Sequence, residues 1–109
     1  MEIKKVSEGT KLTVYLSGRL DAVTAMQFDK DLSATLANVT DLTIDLADLE
    51  YISSAGLRTL LKLQKRMDRQ GSMKIRNIRE NVREVLDMTG FSDFLTIAED
   101  KKAKFSVSF

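Results

Sequence analysis

Two adjacent hydroxyls, Ser53 and Ser54, stand where an apolar run turns into a leucine-rich helix: Asp45-Leu46-Ala47-Asp48-Leu49-Glu50-Tyr51-Ile52-Ser53-Ser54-Ala55-Gly56-Leu57. That place is a helix N-terminus, where unpaired backbone N–H groups and the positive end of the dipole favour anions. A serine there can cap the helix, or it can carry a phosphate that the backbone partly neutralises. Nucleophilic catalysis fits less well. A serine hydroxyl needs an adjacent base, and the chain has no histidine. A Ser-His-Asp triad and a histidine-bound zinc are thereby excluded, and Leu57 occupies the place of the lysine in a serine–x–x–lysine pair. A phosphoacceptor needs no internal base, because a kinase brings base, nucleotide and metal. It needs exposure. Asp21, Asp48 and Glu50, if close, would make the added charge a sharp change in local potential.

The Gly18-Arg19-Leu20-Asp21 turn is the second candidate. Asp21 is a good N-cap and Gly18 a good turn residue, which accounts for both without any function. The turn joins the first site only if both lie at one end of a sheet, where α/β domains place their sites.

The elements that must position these residues are legible from periodicity. Met1 to Ser17 reads as two strands around a Glu8-Gly9-Thr10 turn, with Leu12, Val14 and Leu16 alternating. Gly18 closes the second strand. From Asp21 a helix is expected over about Ala22 to Ala37, its apolar face Ala25, Phe28, Leu32 and Leu36. Asn38 to Asp41 turns into a third strand at Leu42, Ile44 and Leu46, followed by a short acidic connection. Ser54 to Gln70 is the second helix, with Leu57, Leu60, Leu61 and Met67 on one face and Leu63 at its margin. Gly71 stops it. A fourth strand around Met73, Ile75 and Ile78, a third helix from Glu80 to Thr89 and a short strand within Phe91 to Ile97 complete the pattern. Phe105 to Phe109 alternates like a strand behind Lys101, Lys102 and Lys104. Strands alternating with helices after a hairpin make an α/β domain with a small mixed sheet.

At 109 residues the chain fits one domain, residues 1–109. Its 43% hydrophobic and 30% charged content suits a globular chain. The net charge of +1 gives no general drive toward nucleic acid or membrane. No apolar run approaches the ~20 residues that span a bilayer, and the N-terminus lacks a secretory h-region. Absence of cysteine suits a reducing cytosol. The five glycines form no phosphate-binding loop. The basic face of the second helix, Arg58, Lys62, Lys65, Arg66 and Arg69, has no interleaved aromatic for base stacking and suits an acidic protein surface better. No cofactor and no metal are expected.

These residues resemble the STAS domain family, and within it the stand-alone bacterial anti-sigma factor antagonists of the SpoIIAA type. The resemblance spans nearly the whole chain, through the Gly18-x-Leu20-Asp21 turn, the Asp45 to Leu57 stretch, Leu60-Leu61 and Gly90-Phe91-x-x-x-Leu95. It implies a small sheet with helices packed mainly on one face, and a partner-switching protein rather than an enzyme. The unphosphorylated form would bind an anti-sigma factor that is itself a serine kinase of histidine-kinase-like ATPase fold, releasing a sigma factor. Phosphate on one serine would end binding, and a serine phosphatase would restore it. The resemblance sets that serine at Ser54; Ser53 and Ala55 stand where relatives often have Asp and Ser or Thr, which leaves Ser53 as the alternative. Asp21, Ser53, Gly56, Leu57, Arg58 and Leu61 become the partner-binding candidates. A STAS module that docks without phosphorylation is the alternative function.

Overall fold

The computed structural model describes residues 1–98. A hairpin of β1 (Glu2–Glu8) and β2 (Lys11–Leu20) opens the chain, antiparallel, with Glu8 opposite Lys11. Helix α1 (Ala22–Thr35) and a 3-10 turn at Leu36–Asn38 lead into β3 (Asp41–Ile52), which pairs parallel with β2. Helix α2 (Ser54–Gln70) then returns the chain to β4 (Ser72–Arg76), parallel to β3. Helix α3 (Glu80–Met88) follows, and the four strands lie in the order β1-β2-β3-β4. The mixed sheet with its helices is the architecture the periodicity predicts.

Both central strands run further than expected. Strand β2 continues through Gly18 to Leu20, and the expected acidic connection after Leu46 is itself strand. The pairing explains why. Tyr15 faces Asp45 but Ser17 faces Asp48, and Gly18 faces Leu49 but Arg19 faces Tyr51. Each shift gives β3 one residue more than β2, a bulge that re-phases the strand. Leu46, Leu49 and Ile52, three apart, therefore all point inward and are buried, while Asp48, Glu50 and Tyr51 stay exposed. Gly18 sits at the second shift with φ +95°, in the left-handed region that favours glycine.

One apolar cluster joins the inner face of the sheet to all three helices. It holds Leu12, Val14 and Leu16 of β2, Leu42, Ile44 and Leu46 of β3, and Phe28, Leu60 and Leu86 from the helices. On α2 the buried stripe is Leu57, Leu60, Leu63, Gln64 and Met67, so Leu63 takes the core place expected for Leu61, which is half-buried. The other sheet face is polar. There the Asp45 carboxylate accepts from the Ala47 amide, Arg76 Nε and Asn77 Nδ2, each at 2.9 Å. Burial pushes Asp45 up, but these three donors outweigh it and hold the carboxyl below its ordinary value.

Strand β4 ends at Arg76, short of Ile78, because Asn77, with a φ of 57°, turns the chain out of the sheet. The late strand reduces to a single parallel bridge between Ile75 and Ile97. The alternating segment 105–109 lies outside the described residues. Among the described residues no helix is long and apolar enough to cross a membrane.

Candidate phosphorylation and docking site

The Ser53 amide donates to the Leu20 carbonyl at 2.8 Å, which ties the ends of β2 and β3 together. The Asp21 turn and the Ser53-Ser54 turn therefore sit side by side at one end of the sheet, as a site on both would require. Asp21 is engaged in its own helix. Its Oδ1 accepts from the Val23 and Thr24 amides at 3.0 Å, and its own amide donates to Thr24 Oγ1 at 2.8 Å, a complete capping box. The Thr24 amide above all, with the Thr24 hydroxyl, holds the Asp21 carboxyl below its ordinary value.

The two serines differ. Ser53 is the extended N-cap of α2, and its Oγ accepts from the Gly56 amide at 3.2 Å. Ser54 is the first helical residue and is exposed. Its Oγ lies 3.3 Å from Arg58 Nη2, and its carbonyl 3.4 Å from Arg58 Nε. The cap and the exposed hydroxyl are thus neighbouring residues, with a cation one turn beyond.

The remaining expected contact residues divide in the same way. Arg58 is exposed and Leu61 half-buried, while Leu57 is 2% exposed and belongs to the core in this structure. Gly56 is also buried: a Cβ there would lie 2.9 Å from Ile52 Cγ1 and from Leu20 Cγ. Its smallness seats the first turn of α2 on the ends of β2 and β3. Asp48 and Glu50 line a shallow hollow with Glu2 and Arg79, and Ser54 is not part of it.

Helix α1 adds residues that periodicity did not single out. Lys62 Nζ donates to Asp29 at 2.9 Å and Arg66 Nη1 to the Ser33 carbonyl at 3.2 Å, so α1 and α2 run alongside in parallel. Both partners are 33 positions apart in sequence. The same offset carried back one turn sets the Ala25–Met26 step opposite Arg58 and Thr59. Met26 is 74% exposed and Val23 is 66% exposed. Both stand off the Ala25–Phe28–Leu32 stripe, the one sequence signal that could have found them. Arg19 stacks over the Tyr51 ring at 4.2 Å between the two turns' strand ends. The site combines an exposed hydroxyl at a helix N-terminus, a cation and two exposed apolar side chains. Among the described residues no group of three His, Cys, Asp or Glu side chains gathers to hold a metal.

The STAS domain model matches residues 2–103. This chain belongs to the STAS domain family. Among its STAS relatives is a Bordetella bronchiseptica protein named as an anti-sigma factor antagonist, BtrV, 32% identical over 94 residues, covering 84% of this chain and 81% of that one. The anti-sigma-B factor antagonist of Bacillus subtilis is 30% identical over 88 residues, covering 80% and 81%. The solved structure of the anti-sigma factor antagonist SpoIIAA in its unphosphorylated form superposes with a TM-score of 0.76 at 19% identity, covering 97% of this chain and 96% of that chain. SpoIIAA in the phosphorylated form gives 0.70 at 18% identity. The four-stranded sheet with its helices on one face is a SpoIIAA-like STAS fold.

Proposed function

We propose that this STAS chain is an anti-sigma factor antagonist that works by partner switching in the cytoplasm. Unphosphorylated, it binds an anti-sigma factor that is also a serine kinase of histidine-kinase-like ATPase fold, and a sigma factor is released. Phosphate on Ser54 ends the binding, and a serine phosphatase resets it. The chain itself contributes no catalysis. One observation carries the reading: Ser54 keeps an exposed hydroxyl at the first position of α2 because Ser53 does the capping. Relatives named anti-sigma factor antagonist support it.

The geometry suits a charge switch. A phosphate adds about −1.5 to −2 charges. At Ser54 it meets the unpaired N–H groups of the first turn and the Arg58 guanidinium, which stabilise it within the chain. A partner seated on Val23, Met26 and Leu61 would have to desolvate that same dianion, which disfavours docking.

Intact-mass spectrometry with site mapping tests this, on the chain incubated with ATP, Mg²⁺ and each anti-sigma factor of the source genome. The expected result is one phosphate, on Ser54, with loss of the complex, and Ser54→Asp should bind the same anti-sigma factor far more weakly than wild type. A stable complex without any phosphate transfer would make the chain a docking module with no covalent switch.

A further inference from the structure

Helix α2 carries five cations, Arg58, Lys62, Lys65, Arg66 and Arg69, against one acid, Asp68. It thus holds +4 within a chain whose total is +1, leaving −3 for everything else. With half-buried Leu61, the five cations line an open groove of about 750 Å³. The groove starts at Arg58, one turn from Ser54, and runs toward the helix C-terminus.

Helix stability does not explain this arrangement. Arg58 and Lys62, Lys62 and Arg66, and Lys65 and Arg69 are like charges four apart, a spacing that destabilises a helix. A face kept for solubility alone would intersperse both signs. Compensation inside the chain is also incomplete. Lys62 pairs with Asp29, and Arg66 is occupied by the Ser33 carbonyl and Gln70. Among the described residues, no carboxylate lies within 4.0 Å of Arg58, Lys65 or Arg69.

We infer that the α2 groove docks an acidic segment of the anti-sigma factor, alongside the apolar contact at Val23 and Met26. The inference rests on the proposed partner and names its chemistry. Protein fits better than nucleic acid. Among the described residues no aromatic side chain lines the groove for base stacking, and half-buried Leu61 among the cations gives the mixed apolar and cationic surface typical of protein interfaces. Phosphate at Ser54 then acts at the head of the groove: it draws on Arg58, already 3.3 Å from Ser54 Oγ, and repels the incoming acids.

The test is the double variant Lys65→Glu/Arg69→Glu, with Lys65→Gln/Arg69→Gln as a milder control on folding. Association and dissociation with the anti-sigma factor are measured at low and high salt. Charge reversal should slow association about tenfold at low salt and flatten the salt dependence, with little change in dissociation. The neutral pair should fall between, and thermal midpoints should match wild type. Unchanged association and salt slope in a partner that still phosphorylates Ser54 would overturn the groove and leave the switch standing. Slowed association without any phosphate on Ser54 would uphold the groove and remove the switch. Tighter binding of a fluorescein-labelled oligothymidine than of a fluorescein-labelled oligoglutamate would overturn the groove in favour of nucleic acid.

Discussion

Ser53 accepts the Gly56 amide while Ser54, one residue on, leaves its hydroxyl at the surface. The difference comes from backbone geometry. The cap residue is extended (φ −95°, ψ 173°), which folds its side chain over the helix end, and the next residue is helical and projects outward. Ser53→Ala should therefore cost about 1 kcal/mol of stability and leave phosphorylation in place. Ser54→Ala should leave stability unchanged within about 0.5 kcal/mol and abolish phosphate transfer. Denaturant titration with phosphosite mapping on both variants decides; loss of the phosphate in a well-folded Ser53→Ala would reverse the assignment. Asp45 supports a pH prediction. Its carboxyl is held below the ordinary value of 3.8, so its contribution to stability is complete above that pH and is lost as pH falls through the lower folded value. Asp45→Asn should be less stable than wild type at neutral pH, and the gap should close as pH drops below about 4. Asp21 and Asp87 are lowered too, so the comparison must be between variant and wild type rather than on one profile. A gap that stays constant down to low pH would show that the side-chain shape of Asp45, not its charge, matters.

The start of α2 is seated by close packing, and Gly56 is the residue that permits it. Two opposed effects bear on Gly56→Ala. Helix propensity favours alanine by about 1 kcal/mol. Against that, the new Cβ would lie 2.9 Å from Ile52 Cγ1 and Leu20 Cγ, in side chains 3% and 0% exposed, and such overpacking costs about 1–3 kcal/mol. The clash should win by roughly 1 kcal/mol, and partner affinity should fall by more than stability does, because Ser54 and Arg58 move with the helix end. Unfolding midpoints beside binding constants read this out; a stabilised variant with full affinity would mean the strand ends yield easily. The same elements show where sequence reading stops. The start of α1 and both ends of α2 were legible because Asp21, Ser53 and Gly71 carry local signals, whereas the end of α1, expected near Ala37, falls at Thr35 with no such signal. The last six residues of β3 were not. Leu46, Leu49 and Ile52 recur every three residues, which is neither strand nor helix period, and only two bulges against β2 make all three face inward. Likewise Leu61 and Leu63 are equivalent by composition, and only the packing of α2 in the folded domain shows that Leu63 is the one buried.

At the scale of the whole molecule, parallel pairing of β2 and β3 brings two strand-to-helix turns to one end of the sheet, and everything proposed for function follows from that coincidence. The α/β class and the Asp21–Ser54 neighbourhood were legible for this reason: parallel strands joined by helices have their turns on common ends. The apolar part of the docking surface was not, because a valine and a methionine on an amphipathic helix are ordinarily core. The Asp29–Lys62 and Ser33–Arg66 contacts set Met26, one turn before Asp29, beside α2 instead, and leave Val23 exposed one turn before it. Val23 and Met26 are 66% and 74% exposed, so they contribute little to folding and are available to a partner. Burying such a side chain fully contributes about 1.5–3 kcal/mol, and covering the exposed part of each should yield about 1 kcal/mol. Val23→Ser/Met26→Ser should accordingly weaken the anti-sigma factor complex by about 2 kcal/mol, roughly 30-fold, mainly through faster dissociation. Its stability should change by no more than about 1 kcal/mol, the cost of two serines in a helix. That pattern would be the reverse of the Lys65→Glu/Arg69→Glu pair, in which association slows and dissociation holds. If both double variants act on the same rate constant, the apolar and cationic surfaces are not separate parts of one interface. If Val23→Ser/Met26→Ser lowers stability and leaves dissociation untouched, the two side chains serve the fold, and the partner approaches α2 from its other side.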